Sequence, residues 1–434
     1  SNSSYNIYTR WYEQSTSFQL NFRRNWWGSR DVGDIGESIV DYSDFGQGYP
    51  YVDFSQYLES KGGNPVSGEV LVGRVNDSLT PLVPGTTYQV LSSLIVLDGE
   101  SWTIPEGVIL EFVGSNAELE VYGALTVAGA EGNEVVFTTS ESAPAPNAWE
   151  GITVYAGTGD VIIDYAVVEY ADRGLNFIQS GSRGAVTNST LRYNRYAIYA
   201  DNAPYGNPSQ NPVFTVNRSS LHSNTNYNFY VDEYSDPITA VVDMSNNWWG
   251  SNDAAVIGAT IRKHSDYYFA PYVNYGQYLF EENGIPVFAA ETLVGPVNDS
   301  TTPLVVGMTY QSFGLVVLDG ESWTIPEGVT IKFFGSGARL KVEGSLSVSG
   351  VMGNEVVFTS GEIDATPSDW QGIIIYAGMG AVTIDHAVIE YADIGLFFDQ
   401  SGNKGLVTNS TFRYNRYGVY LEGDNDSSIL DPTP

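Results

Sequence analysis

An all-β solenoid, a parallel β-helix, is the fold that the sequence predicts, and three observations predict it. Blocks of sequence recur at one long offset, and a shorter step of 23 to 30 residues recurs inside them. Each short step holds runs of three to five residues that alternate apolar and polar, punctuated by Gly and Asn. Period-two alternation in such short pieces means short strands, and repetition at 20 to 50 residues means stacked equivalent units. No stretch sustains a 3.6-residue period, so helix content is expected to be low.

The long offset is read by laying the chain on itself. LVGRVNDSLTPLV from Leu71 returns as LVGPVNDSTTPLV from Leu293, an offset of 222. DGESWTIPEGV returns from Asp98 at Asp319, GNEVVFT from Gly132 at Gly353, and NSTLRYNRY from Asn188 as NSTFRYNRY at Asn409, each offset by 221. SNSSYNIY at Ser1 matches SNTNYNFY at Ser223, and the NWWG at Asn25 matches that at Asn247, both offset by 222. The expected organisation is therefore 1–63 as the late part of one unit ending in NWWG and a tail, 64–283 as a complete unit, and 284–434 as the early part of the next.

The short step appears where Val168 to Leu175 aligns with Leu191 to Ile198, 23 residues on, and Leu221 follows Leu191 by 30. A step of that size with about three short strands suits one coil of a parallel β-helix. Each strand pairs with its equivalent about 4.8 Å away and the inward side chains stack into one core. At 23 to 27 residues per coil, a unit would hold roughly eight or nine coils. Asn194 and Asn224 fall at equivalent turns and would form a hydrogen-bonded ladder.

The run WTIPEGVTIKFFGSGARLKVEGSLSVSGVMGNEVVFTS is followed by DWQGIIIYAG, IDHAVIEYADIGLFF and VTNSTFRYNRYGVY. With NNWWG and the YVNYGQYL tail, it resembles the right-handed parallel β-helix proteins of bacteria and archaea with a pectin-lyase-like fold. The resemblance covers almost the whole chain and implies a tandem-repeat segment of a large secreted surface protein. It does not select one function, because such folds host lyases, hydrolases, adhesins and structural proteins.

Composition excludes several classes. The 434 residues carry 51 carboxylates against 19 Lys plus Arg, a net charge of −32. That balance argues against nucleic-acid binding, which needs clustered cations, and against a polybasic membrane anchor. With no Cys there are no disulfides, thiolate nucleophiles or Cys-based metal centres. No run of about 18 apolar residues is present, so membrane insertion is not expected. The lack of a leader and of an initiating Met reads as a processed or excised piece of a larger secreted product.

Candidate chemistry falls in four groups. Glu169, Asp172, Arg192 and Arg195, repeated as Glu390, Asp393, Arg413 and Arg416, resemble an acid–base constellation. The coil alignment stacks Glu169 over Arg192 and Asp172 over Arg195, so a structural charge ladder is the preferred reading. His222, His264 and His386 do not recur between the copies, and no nucleophile-and-base pair is evident. Trp26-Trp27 and Trp248-Trp249 are candidate carbohydrate-binding aromatics, with closure of the coil stack preferred. Asp77, Asp299, Asp424 and Asp426 are candidate calcium ligands in acidic turns, though none lies in an EF-hand pattern, and no other cofactor is expected. Asn2, Asn76, Asn188, Asn217, Asn298, Asn409 and Asn425 stand in Asn-X-Ser/Thr sequons and are candidate glycosylation acceptors.

The expected function is a non-enzymatic extracellular or cell-surface structural protein. It would be a repeat segment or self-assembling subunit of an array or filament, associating end to end because strand edges of a β-helix must be capped or paired. The alternatives are an adhesin binding extracellular glycans and a polysaccharide lyase or glycoside hydrolase, although no motif selects a carboxylate pair.

Overall fold

The computed structural model describes residues 4–422, except 11–18, 31, 42–48, 66–69, 158, 179–180, 202–210, 235–236, 268, 283, 285–290, 377–379 and 400–404. Two compact units are present, Ser1–Ser235 with Asn247–Gly250, and Asp236–Asn246 with Ser251–Pro434.

The first unit is a parallel β-helix with three faces. Face one carries Ser101–Pro105, Ala124–Ala128, Val161–Asp164, Arg183–Thr187 and Val213–Asn217 side by side, all parallel. Face two carries Ile109–Phe112, Val135–Thr139, Ala166–Glu169, Thr190–Arg192 and Ser220–His222. Face three carries Glu118–Val121, Trp149–Val154, Ala171–Ile178, Tyr196–Asp201 and Tyr227–Val231. One long strand, Thr87–Val96, joins faces two and three, its first half pairing with Ile109–Phe112 and its second with Glu118–Val121.

Alternation decides which side chains point inward. Trp102 and Ile104, Leu125 and Val127, Val161 and Ile163, and Phe214 and Val216 are buried while their neighbours face out. A one-residue slip would expose this whole set, so the register is strongly specified. Aligned positions on face one run Trp102, Leu125, Val161, Gly184 and Phe214, coil advances of 23, 36, 23 and 30 residues. The coil of 36 exceeds the expected range because residues 140–148 make an excursion between faces two and three. Among the described residues five strands stack on face one of this unit, and Thr87–Val96, with Val70–Arg74 paired to it, adds layers to faces two and three.

Asn188 meets the expectation of Gly and Asn at turns, and the other corners depart from it. One left-handed residue turns the chain from face one to face two, at Tyr165 (φ 49°), Asn188 (φ 50°) and Arg218 (φ 52°). Another turns it from face two to face three, at Tyr170 (φ 64°), Tyr193 (φ 57°) and Ser223 (φ 57°). This conformation costs an L-residue roughly 1–2 kcal/mol. Part of that is offset where Tyr170 and Tyr193 stack with centroids 5.6 Å apart.

Buried polar ladders satisfy the backbone behind the corners. The Asn194 Oδ1 accepts from the Ala171 amide at 2.9 Å, and the Asn224 Oδ1 accepts from the Asn194 amide at 2.9 Å. A second ladder, invisible in the sequence reading, links the Ala166 amide to Ser189 Oγ, the Ser189 amide to Ser219 Oγ, and the Ser219 amide to Asn247 Oδ1. An unmade buried bond would cost about 1–3 kcal/mol, so these side chains hold the coil as firmly as the apolar ones.

The second unit repeats the scheme. Face one carries Ser322–Pro326, Ser345–Ser349, Val382–Asp385 and Gly405–Thr408. Face two carries Thr330–Phe333, Val356–Ser360, Ala387–Glu390 and Thr411–Arg413. Face three carries Arg339–Val342, Gly372–Ile375, Ile394–Phe398 and Tyr417–Leu421. This unit also holds the short parallel pair Val241–Asp243 and Tyr272–Asn274, and the helix Ala254–Ala259, whose first amides donate to Asp253 Oδ1. Helix Val32–Glu37 is its counterpart in the first unit. Six residues are too few to print a helical period in the sequence.

Four tryptophans that the sequence reading passed over anchor the cores. Trp102, Trp149, Trp323 and Trp370 are fully buried. Trp149 stacks on Phe112 with centroids 4.0 Å apart, and Trp370 on Phe333 at 4.2 Å. Each indole NH donates to a backbone carbonyl: those of Thr80, Glu169, Thr302 and Glu390 respectively.

Candidate functional site

The structure brings the charged residues of the face-two corner together in pairs. Arg192 Nε lies 3.0 Å from Glu169 Oε2 and Arg195 Nη1 lies 3.1 Å from Asp172 Oδ1. In the second unit Arg413 Nε lies 2.6 Å from Glu390 Oε2 and Arg416 Nη1 lies 3.2 Å from Asp393 Oδ1. Thr138 and Thr359 donate to the other oxygens of Glu169 and Glu390. Each carboxylate is thus engaged coil to coil. Exposed pairs of this kind contribute about 0.2–1 kcal/mol each.

The other candidates lie apart from one another. Trp249 is buried, at 3% exposure, whereas Trp26, Trp27 and Trp248 are half-buried. Trp27 packs edge-on to Phe54 at 6.2 Å, and Trp248 continues the face-two stack, its carbonyl accepting from the Leu221 amide at 2.7 Å. Asp77 accepts from the Thr103 amide and the Ser101 hydroxyl, and Asp299 from the Thr324 amide, each tying a turn to a neighbouring coil. The side-chain amides of Asn188 and Asn409 donate to Asp164 and Asp385, and that of Asn76 to Glu100. Asn298 accepts from the amides of Ser300 and Thr301, and Asn217 is half-buried at the end of its strand. Asn2, Asp424, Asn425 and Asp426 lie outside the described residues. His264 is buried with its Nδ1 2.9 Å from the Ala270 carbonyl, and desolvation lowers its pKa. His386 Nδ1 lies 3.2 Å from Asp385, and His222 Nδ1 lies 3.0 Å from Ser223 Oγ.

A different set of residues forms the most chemically loaded place in the first unit. On face three the outward row runs Glu120, Thr153, Asn176, Tyr199 and Tyr230, one residue from each successive coil. Glu120 is nearly inaccessible, at 2% exposure, and accepts from Tyr51 Oη at 3.3 Å and Tyr122 Oη at 3.2 Å. Glu118, two residues earlier on the same strand, meets the Thr153 hydroxyl at 3.5 Å, and Asn176 Nδ2 donates to that hydroxyl at 3.3 Å. Burial first, then the charges of Glu120 and Glu150, push the Glu118 carboxyl up to about 8. Burial together with the negative charge of Asp172 also raises Glu150. Tyr122 and Tyr155 stack at 4.2 Å on one side, and the Arg173 guanidinium lies 4.2 Å over the Tyr199 ring farther along.

No protein-family model, no curated protein and no solved structure matched this chain. The fold rests on its strand registers. One signal in the sequence marks this row: it is where the two otherwise similar units disagree. Glu118, Glu120, Tyr122, Glu150, Thr153, Arg173 and Asn176 correspond to Arg339, Lys341, Glu343, Gln371, Ile374, Ile394 and Phe397. The core tryptophans, the corner ion pairs and the Asn ladder are the same in both.

Proposed function

We propose that the chain is a non-enzymatic extracellular structural protein of the pectin-lyase-like β-helix class, a segment or subunit that builds a surface filament by stacking coil on coil. The observation that carries this reading is the stacking itself: in each unit equivalent strands pair in parallel from coil to coil on all three faces. The edge of a parallel stack is a template for a further coil. The commitment of the Glu and Arg side chains to ion pairs between coils supports the non-enzymatic part. The strongly acidic balance suits a solvated surface exposed to salt.

Electron microscopy of the purified protein, with light scattering across a hundredfold concentration range, tests the reading. Unbranched filaments with a repeat set by the stacked units are expected. Concentration-independent monomers, or turnover of any polysaccharide in a depolymerisation screen, would overturn it.

A further inference from the structure

The Asn-X-Ser/Thr sequons differ in whether the folded chain leaves their asparagine nitrogen free. Two of them share one tripeptide, Asn76-Asp77-Ser78 in the first unit and Asn298-Asp299-Ser300 in the second. Each asparagine closes the turn that follows it. Asn76 Oδ1 accepts from the amides of Ser78 and Leu79 at 3.0 and 2.8 Å, and Asn298 Oδ1 from those of Ser300 and Thr301 at 2.9 and 2.8 Å. The Nδ2 atoms are where the two sites diverge. Asn76 Nδ2 donates to Glu100 Oε1 at 3.0 Å, and Arg74 Nε donates to the other oxygen of that carboxylate at 3.0 Å. In the second unit Pro296 stands in place of Arg74, and Glu321, the counterpart of Glu100, is exposed. Among the described residues nothing accepts a hydrogen bond from Asn298 Nδ2, and the atom is not enclosed, so it faces solvent. Asp299 and Ser300 are exposed beside it. The remaining described sequons are built into the coil. Asn188 and Asn409 sit at left-handed corners, and their Nδ2 atoms donate to Asp164 and Asp385, each at 2.8 Å. Ser219, the hydroxyl residue of the Asn217 sequon, is 1% exposed, with its amide and its hydroxyl both bonded within the stack.

We infer that the folded chain is an N-glycan acceptor at Asn298, and at none of Asn76, Asn188, Asn217 and Asn409. The inference rests on the extracellular part of the reading above, because N-glycans are carried by exported chains. The co-reactant is a polyprenyl-diphosphate-linked oligosaccharide, presented by an oligosaccharyltransferase. Asn298 Nδ2 attacks the anomeric carbon of that donor, so an N–C bond forms and the C–O bond to the diphosphate breaks. The polyprenyl diphosphate leaves with the electron pair, and one Nδ2 proton passes to a base of the transferase. Nothing is oxidised or reduced. A carboxamide nitrogen that already gives its hydrogen to a carboxylate must first lose that charge-assisted bond, which holds the site back roughly tenfold or more. At Asn76 the same step also takes Glu100 from its place between Arg74 and the asparagine. At Asn298 the nitrogen has no such bond to break. The two sites carry one tripeptide, so the difference between them belongs to the fold and not to the motif.

The test incubates the purified, folded chain with a single-subunit oligosaccharyltransferase and its polyprenyl-linked donor, and reads the occupancy of each site by mass spectrometry of the peptides. The enzyme is one chosen because it glycosylates synthetic peptides of both Asn-Asp-Ser sequons equally. Enzyme and donor supply what export would, so the result is separate from whether the chain is extracellular or forms filaments. Early in the reaction Asn298 is expected to be occupied at least about tenfold more than Asn76, with Asn188, Asn217 and Asn409 at background. Asn298→Gln should remove most of the product. Glu100→Ala, which takes away the acceptor of Asn76 Nδ2, should raise Asn76 occupancy towards that of Asn298. Arg74→Pro, which copies the second unit, should do the same and serves if the Glu100 variant fails to fold. An unmodified Asn298, equal occupancy of Asn76 and Asn298 in the unaltered chain, or no rise at Asn76 in a folded variant would each overturn the inference.

Discussion

At the scale of single residues, polar side chains do as much to specify this chain as apolar ones. Asn194 is legible as a ladder residue because Asn recurs at equivalent turns. Ser189 and Ser219 are not, because Ser is common in turns for many reasons and only the geometry shows that each accepts an amide from the preceding coil. Glu118 was equally hidden, since its raised pKa comes from burial and from Glu120 and Glu150, two of the groups that folding gathers round it. The sign of its effect on stability follows. A carboxyl held near 8 in the folded state and at 4.5 in the unfolded state binds more protons when folded between those values. Its contribution is complete below the unfolded value and is lost as the pH rises through the folded one. The raised carboxyls of Glu150, Asp201 and Glu362 act in the same sense, whereas the lowered ones of Glu100 and Asp385 act at more acid pH. The melting temperature is therefore expected to fall between pH 5 and 8.5. Glu118→Gln should flatten that slope by up to about 1.4 kcal/mol per pH unit; a parallel pH profile for the variant would refute the assignment.

At the scale of elements, the strands were predictable from alternation, and the corners were not. The sequence puts Tyr, Arg, Ser and His where a left-handed residue turns the coil, and a reading by turn propensity looks for Gly there. The corners hold because the strands on either side are fixed by the core and the neighbouring coil, which leaves that one residue no other conformation. Glycine is indispensable elsewhere. Gly151 has φ 120° at a register shift in the Trp149–Val154 strand, and a Cβ there would overlap the Arg173 carbonyl oxygen. Gly372 repeats this against the Ile394 carbonyl. Gly151→Ala is expected to destabilise the first unit by about 2 kcal/mol or more, since both backbone conformation and packing oppose it. Urea denaturation followed by the fluorescence of the buried tryptophans would measure it; a midpoint within error of the wild type would show that the coil can shift to accept a methyl group.

At the scale of the whole molecule, the charge of −32 sits on a chain whose inward positions are apolar, Ser or Asn, so the carboxylates are concentrated on turns and outer faces. Their mutual repulsion opposes the compact state and is screened by salt. Raising NaCl from about 20 mM to about 300 mM shortens the screening length from roughly 20 Å to below 8 Å. The melting temperature should rise by at least about 2 °C, the shift that about 1 kcal/mol produces in a domain of this size. A fall would mean that attractive pairs such as Glu169–Arg192 outweigh the repulsion.

The sequence by itself determined the strand periodicity, the long repeat and the all-β class, because these depend on which residue types recur at which spacing. It also held the marks of the face-three row, in the positions where the two units differ, but not their meaning. Only the tertiary structure decided that Glu120, Thr153 and Asn176, on three different strands, lie along one outward row. It also decided that the corner carboxylates are paired while Asn176 Oδ1 is not. The reason is physical: periodicity is local and survives in one dimension, whereas burial, pairing and the pKa of a carboxyl depend on neighbours that stacking alone brings within reach.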